Sequence, residues 1–436
     1  MRIPALRTVF FNSDFCLARG LLRIFPFFFL LAACGDGTEW QKDPSDRFPV
    51  EDQGLDPAFR LYHASADSSL LYFRVSHDRL LYTRKSEGAP FRAKVKVKAR
   101  VIGEEGKLHA IDSTFVQDEG KNDGGRSLGR FSLTWDPMVK KGRVHIETRD
   151  MKRGREVRER LYFDREGPNA KQNFLPVKPD KGEPYFKNSF SAGERVGFRY
   201  EREDPEKVLG RAYFRDFPLP PPPFAEDEFR RFDYEADSLF TIELDSAHYL
   251  EIEVPDSGFY HLQVDSGKGK KGFTLFNFQK GYPKVKTVEA MLGPIRFLTS
   301  PKEFQKLSSS DDLKGAVDSF WVARGGSHER ARKLIEAYYG RVETANEHFT
   351  SHVEGWKTDR GLIHIIFGEP ERIEKSKTGE RWVYGDGNEI MNLNFEFERV
   401  DNPFTNKDLS LDRNGMYKRG WYRAIEAWRN GRVYSH

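Results

Sequence analysis

Three places in this 436-residue chain gather side chains that could do chemistry. The first is Asp359-Arg360, a carboxylate beside a guanidinium at the mouth of an apolar run. A carboxylate can act as base or nucleophile in hydrolysis, but it needs a matched second acid or base. The second is His348 and His352, with Glu347 and Glu354 nearby. A spacing of four puts two imidazoles on one helix face, as in a zinc site. There is no His-Glu-x-x-His, however, and no third ligand, so the pattern predicts a solvated helix end. The third is Asp386 and Asn388, which echo calcium-loop oxygens but lack the third ligand and the distal Glu spacing of such loops. A plain turn is expected there. No Gly-x-Ser-x-Gly is present. Ser266-Gly267-Lys268-Gly269-Lys270-Lys271-Gly272 lacks the Gly-Lys-Ser/Thr ending of a phosphate loop and predicts a hairpin tip. No catalytic residue, metal or cofactor is expected, and Asp359 is the best lone candidate for a catalytic role.

The cysteines point away from chemistry and toward location. Cys16 and Cys34 are the two in the chain. Arg2, Arg7, Arg19 and Arg23 precede Ile24-Phe25-Pro26-Phe27-Phe28-Phe29-Leu30-Leu31-Ala32-Ala33-Cys34. A basic region, a short apolar run and small residues before a cysteine make a secretory leader. The run is too short to span a bilayer as a helix. Leu31-Ala32-Ala33-Cys34 resembles the bacterial lipobox, which implies cleavage before Cys34 and a lipid on its sulfur. Without residues 1–33 the charge is 67 basic minus 66 acidic, or +1, since that stretch holds four Arg and one Asp. The basic balance is thus partly the leader, and no nucleic-acid partner is expected. The body after Cys34 has no disulfide and no thiol.

The elements that must position Asp359 are a helix, a turn and a strand. Ala331, Leu334, Ile335, Tyr338 and Val342 repeat at helical spacing behind Ser327 as a cap, and that helix runs to about Phe349. Asp311 or Asp312 caps a preceding helix through Phe320-Trp321. Gly355 and Gly361 flank a polar turn in which positive φ is expected. Thr358 and Asp359 accept backbone hydrogen bonds there, and Trp356 pins the turn to a core, with an indole N–H that needs one partner. The apolar, β-branched run 362–367 predicts a buried strand.

Gly355-Trp356-Lys357-Thr358-Asp359 matches the naming motif of the GWxTD-domain proteins. Upstream, Phe320-Trp321, Tyr339, Arg341, Val342, Ala345, Asn346 and Phe349 resemble that family's helical approach. Downstream, Gly361-Leu362-Ile363-His364-Ile365, Gly368-Glu369-Pro370 and Glu380-Arg381-Trp382-Val383-Tyr384 resemble its strand, turn and second strand. The likeness covers about 297–400; His364 stands where the family more often has an aromatic, and Glu369 where a second proline is common. It implies a bacterial envelope protein, often a lipoprotein, whose domain has no established chemistry.

The rest of the chain sets the domains. Residues 34–54 read as an acidic flexible tether. From 55 to 165 the period is two: Leu71, Phe73 and Val75 alternate, and Phe91 to Val101 has one apolar and one basic face. This predicts a β-sandwich, and the basic face is either solvated, edge protection, or a grip for anionic glycan or lipid A. Residues 122–125 signal a hairpin, as do 143–148 with 155–163. A Gly/Pro/Lys-rich linker spans 166–184, and a second sandwich, immunoglobulin-like or fibronectin-like, spans 185–278. Within it Pro218-Leu219-Pro220-Pro221-Pro222-Pro223-Phe224 is an extended loop, expected to lie on its own domain or to serve as a ligand for a partner's aromatic groove. A connector covers 279–306, the α+β domain 307–400, and a tail with a short helix carrying Trp421, Ile425 and Trp428 covers 401–436. The fold expectation is α+β multidomain.

The function expected is an outer-membrane lipoprotein, anchored through Cys34, acting as a non-enzymatic scaffold or accessory subunit of an envelope assembly, secretion or transport complex. A glycan-binding lipoprotein is the alternative, and a hydrolase using Asp359 a third. The motif residues Gly355, Trp356, Thr358, Asp359, Arg360, Gly361, Gly368, Pro370, Trp382 and Tyr384 are either structural or a docking surface.

Overall fold

The computed structural model describes residues 55–119, 125–202, 205–226, 234–264, 271–278, 280–376, 378–385 and 393–435. The leader, Cys34, the tether, and positions 122–124, 266–270 and 386–388 lie outside the described residues.

The first unit has strands β1 (Ala58–Tyr62), β2 (Ser68–Ser76), β3 (Arg92–Gly103), β4 (Leu108–Glu119), β5 (Arg126–Thr134), β6 (Lys141–Asp150) and β7 (Glu156–Asp164). They pair antiparallel into two sheets, β1-β2-β5 and β4-β3-β6-β7. Alternation decides the faces. Leu71, Phe73 and Val75 of β2 meet Ala93, Val95, Val97, Ala99 and Val101 of β3 in one core, with Val144 and Ile146 of β6. The opposite face of β3 holds Lys94, Lys96, Lys98 and Arg100. Because β3 lies between β4 and β6, this basic row is in the middle of the sheet and not on an edge.

The second unit comprises β8 (Leu175–Val177), β9 (Ser189–Phe190), β10 (Arg195–Arg199), β11 (Lys207–Tyr213), β12 (Ser238–Glu243), β13 (Tyr249–Glu253), β14 (Gly258–Gln263) and β15 (Phe273–Asn277). Sheets β13-β10-β8 and β12-β11-β14-β15-β9 close over Val196, Phe198, Leu250, Val208, Leu262, Phe273 and Leu275. Strand β8 falls inside the segment expected to be a linker. Its Pro176 suits an edge strand, where a missing N–H costs no ladder bond, and the flanking glycines and lysines hid it. Arg60 of β1 ties the two units by donating to the Tyr185 carbonyl and Asn188 Oδ1, both at 2.9 Å. Tyr62, Leu175 and Val177 bury one another across the same junction.

The third unit is α1 (Val288–Ile295), α2 (Pro301–Ser308), α3 (Leu313–Gly325), α4 (His328–Phe349), α5 (Asp359–Phe367), β16 (Arg372–Lys375), β17 (Gly379–Tyr384), β18 (Leu393–Arg399), β19 (Leu409–Leu411) and α6 (Tyr417–Arg429). Asp312 caps α3 and Ser327 caps α4, each side chain accepting from a backbone N–H of the first turn. The sheet runs β16-β17-β18-β19. Three expectations give way here. The connector is helical: Ser300 and Glu303 form a reciprocal capping box for α2, and Ile295 and Leu298 enter the core. The tail is more than an appended short helix, since β19 completes the sheet and Tyr417, Trp421 and Trp428 are core residues. The polyproline stretch lies on this third unit and not on its own domain. The Pro223 carbonyl accepts from Asn414 N at 3.0 Å, and the Phe224 ring stands 5.4 Å from Tyr422.

Candidate functional site

The motif sits where the end of α4 meets the start of α5. Residues 355–357 make one 3-10 turn, followed by α5 from Asp359. The expected strand over 362–367 is therefore a helix. Thr358 decides this: its hydroxyl accepts from Gly361 N at 3.0 Å and donates to the Gly355 carbonyl at 2.8 Å, which is N-cap geometry. A six-residue apolar run, buried on all sides, carries no period that separates helix from strand.

The two glycines also act differently from expectation. Neither has positive φ. Both permit close approach: a Cβ on Gly355 would stand 1.9 Å from the Ala345 carbonyl oxygen, and one on Gly361 2.0 Å from the Gly355 carbonyl oxygen. The turn is thereby packed backbone to backbone on α4. Asn346 locks it, its Oδ1 accepting from Trp356 N at 3.1 Å while its Nδ2 donates to the Pro283 carbonyl at 3.0 Å. Trp356 is buried against Gly293 and Phe297. Its indole N–H has no hydrogen-bond partner among the described residues, so the side chain anchors by apolar packing.

Asp359 does not face solvent. Leu411 N donates to its Oδ2 at 2.8 Å, and Arg413 reaches both oxygens, at 2.5 and 3.2 Å. The two side chains are 10% and 6% exposed. Burial pushes the Asp359 carboxyl up from its ordinary value, and the Arg413 guanidinium opposes that shift. Arg413 also donates to the Pro221 carbonyl at 3.2 Å, so the same guanidinium joins the motif to the polyproline loop. Arg360 is buried as well. It stands 5.1 Å from the Phe349 ring centroid, donates to the Lys407 carbonyl at 2.7 Å and pairs with Glu380 at 3.4 Å. Glu380 in turn accepts from Trp382 Nε1 at 3.1 Å.

The far end of α5 is closed by the remaining motif residues. Gly368 has φ +89, and its carbonyl accepts from the Tyr384 hydroxyl at 3.0 Å. Pro370 follows, buried, where the chain leaves the helix for β16. Arg341 of α4 donates to the Ile365 and Ile366 carbonyls at 3.2 and 3.3 Å, a cation on the negative end of the helix.

The structure separates the two histidines that could have shared a helix face. Helix α4 ends at Phe349, and His352 turns to Asn402 at 2.9 Å and Asp408 at 3.6 Å. Among the described residues no group of three or more His, Cys, Asp or Glu could hold a metal ion. Arg413, which completes one of the motif's ion pairs, has no signal in the sequence, and Glu380, which completes the other, stands out there only as part of the second strand and not as a partner of Arg360. Each is one charge in a charged stretch, with no spacing that ties it to Asp359 or Arg360.

The comparisons with known proteins agree with this placement of the motif. The GWxTD domain family matches residues 258–430, a span that takes in β14, β15, all six helices and the last sheet. No curated protein matches the chain. Among solved structures, a Bacteroides uniformis beta-glucuronidase is 17% identical over 25% of this chain and 13% of that one, with a TM-score of 0.18. The C-terminal domain of a Streptococcus agalactiae AgI/II polypeptide is 10% identical over 51% of this chain and 100% of that one, also at 0.18. The chain thus spans less than a fifth of the glucuronidase's length. Two β-sandwiches followed by a helix-and-sheet unit built around Gly355-Trp356-Lys357-Thr358-Asp359 make this chain a GWxTD-domain-containing protein.

Proposed function

We propose that the protein is a lipid-anchored outer-membrane scaffold, a non-enzymatic accessory subunit of an envelope assembly, secretion or transport complex. The observation that carries this reading is the use of the motif's polar groups inside the fold. Asp359 is taken by Arg413 and Leu411, Arg360 by Glu380 and Lys407, and Thr358 by its own helix. A buried carboxylate with both oxygens engaged by an arginine is poorly placed to attack or deprotonate a substrate, so the hydrolase reading loses its candidate. What the motif does supply is rigidity. It fixes α4, α5 and the Arg413 segment to one another, and Arg413 fixes the loop from the second sandwich. No helix among the described residues is long and apolar enough to cross a membrane. A tether ending in lipidated Cys34 accounts for attachment without one.

The test is affinity purification of the tagged, membrane-anchored protein in mild detergent, followed by mass spectrometry and crosslinking. Envelope proteins recovered in stoichiometric amount are expected; a clean monomer overturns the scaffold reading. Cys34→Ala tests the anchor separately. Loss from the membrane pellet is expected, and retention there overturns the lipoprotein assignment.

A further inference from the structure

The outward face of β4-β3-β6-β7 concentrates one charge. Beside Lys94, Lys96, Lys98 and Arg100 of β3, the register sets Arg143 and Arg149 of β6 and Arg158 and Arg160 of β7. Three carboxylates lie on the same face: Glu119 of β4, which binds Arg92 of β3 at 2.8 Å, Glu147, which binds Arg100 at 2.7 Å, and Glu156, which binds Arg158 at 2.8 Å. Like charges on facing strands repel and cost stability. Protection of an edge does not account for the cations of β3 and β6, which are interior strands; only Arg158 and Arg160 stand on an edge strand, β7. Aromatic rings lie among the cations. Phe115 of β4 is 49% exposed, with the Lys94 and Lys96 ammonium groups 4.4 and 5.4 Å from its centroid, and Tyr162 of β7 is 55% exposed.

The face leads to a cleft. Tyr162 also lines a cavity of about 540 Å³ between the first sandwich and the loop that follows β18. Lys171, Lys271 and Arg399 contribute cations there, Asp164 and Asp401 contribute carboxylates, and Gln172, Thr378 and Asn406 contribute neutral polar side chains. Lys271 is paired with Asp164 at 2.5 Å. Lys171 has no carboxylate partner among the described residues, and burial, with Arg60 and Lys407 beside it, brings its ammonium down to about 7.

We propose that this basic sheet face and the adjoining cleft form one track for a linear anionic polysaccharide, with Tyr162 at the junction. Side chains on one face of a strand recur about every 6–7 Å, so β3 offers a ladder of cations to a polymer charged on successive units. A flat membrane could meet the sheet but could not enter the cleft. An extended chain can do both, and the cleft's amide and hydroxyl groups suit sugar hydroxyls. The choice of a glycan over a nucleic acid rests on the secretory reading of the leader.

The test uses the mature chain carrying Cys34→Ala, with polygalacturonate and dextran sulfate as probes and uncharged dextran as control. At about 0.15 M salt the charged polymers bind, dextran does not, and affinity falls as salt rises. The double variant Lys96→Glu/Lys98→Glu weakens binding by at least about tenfold while melting as the parent does. Lys171→Ala, in the cleft, weakens it without altering the sheet. No binding of either charged polymer, or a double variant with parental affinity, overturns the proposal. Equal binding to vesicles of anionic phospholipid overturns the track in favour of a membrane surface. Preference for single-stranded DNA overturns the glycan assignment. Membrane fractionation of the Cys34→Ala protein reports on the secretory reading independently of all these outcomes.

Discussion

Arg413 grips both carboxylate oxygens of Asp359 from 54 residues away in the chain. It is the contact through which the motif reaches the sheet's last strand on one side and the polyproline loop on the other. Both side chains are almost wholly buried, so neither charge can fall back on water if its partner is removed.

That arrangement predicts an asymmetry. Arg413→Ala strands a buried carboxylate and should cost about 3–5 kcal/mol of unfolding free energy. Asp359→Ala/Arg413→Ala removes both charges and should cost much less than the two single losses added together. Denaturant unfolding of the three variants measures the coupling. Additive losses would show that the pair contributes nothing as a pair.

The glycines of the third unit predict opposite signs. Gly355→Ala forces a Cβ into the Ala345 carbonyl and should destabilise by about 1–3 kcal/mol or more, because backbone must move. Gly340 lies within α4 with nothing within 4 Å of a Cβ. Gly340→Ala should therefore stabilise by about 0.5–1 kcal/mol through helix propensity. Thermal melts of both variants check the contrast, and a neutral Gly355→Ala would refute the close-packing account of the motif's first residue.

Trp356 offers a third measurement. Its ring packs against Gly293 and Phe297 with its N–H unpartnered and the Lys357 ammonium 5.4 Å from its centroid, so burial is its main contribution. Trp356→Ala should cost about 3–5 kcal/mol, the range for emptying a buried aromatic site. A parental melting curve combined with loss of partner capture would instead make Trp356 a contact residue.

Much of this organisation was legible, for identifiable reasons. Period-two alternation in β2 and β3 exposes their faces directly, because one side of each sheet is core and the other is wet. Asp312 and Ser327 announce helices because capping is a local interaction. The motif's inner geometry was not local. The run from Leu362 to Phe367 has no polar face to show its period, and only the Thr358 cap makes it a helix. Arg413 and Glu380 find Asp359 and Arg360 through the tertiary fold, and no spacing in the chain encodes those meetings. Strand β8 and helices α1 and α2 were hidden by short length and by the Pro, Gly and Lys around them.

Acid should loosen the protein before its carboxylates titrate fully. His63 and His364 are buried, and desolvation, with Arg165 and Arg341 respectively adding repulsion, brings each imidazole down to about 3. An unfolded histidine titrates near its ordinary value of 6.5. Between those values the unfolded chain binds protons that the folded chain refuses, so stability rises with pH across that window. It is fully present above the unfolded value and drains away as pH falls toward the folded one, by about 1.4 kcal/mol per pH unit for each histidine. Denaturant midpoints at about pH 8 and about pH 4.5 should differ accordingly. His364→Phe keeps a ring against Phe349, 5.8 Å away, while removing one titrating group. It should flatten the profile by less than half, since His63 remains and burial also lowers His145, His348 and His352. A variant with the parent's full pH slope would show that His364 is already protonated in the fold, and that Arg341 beside it does not hold the imidazole neutral.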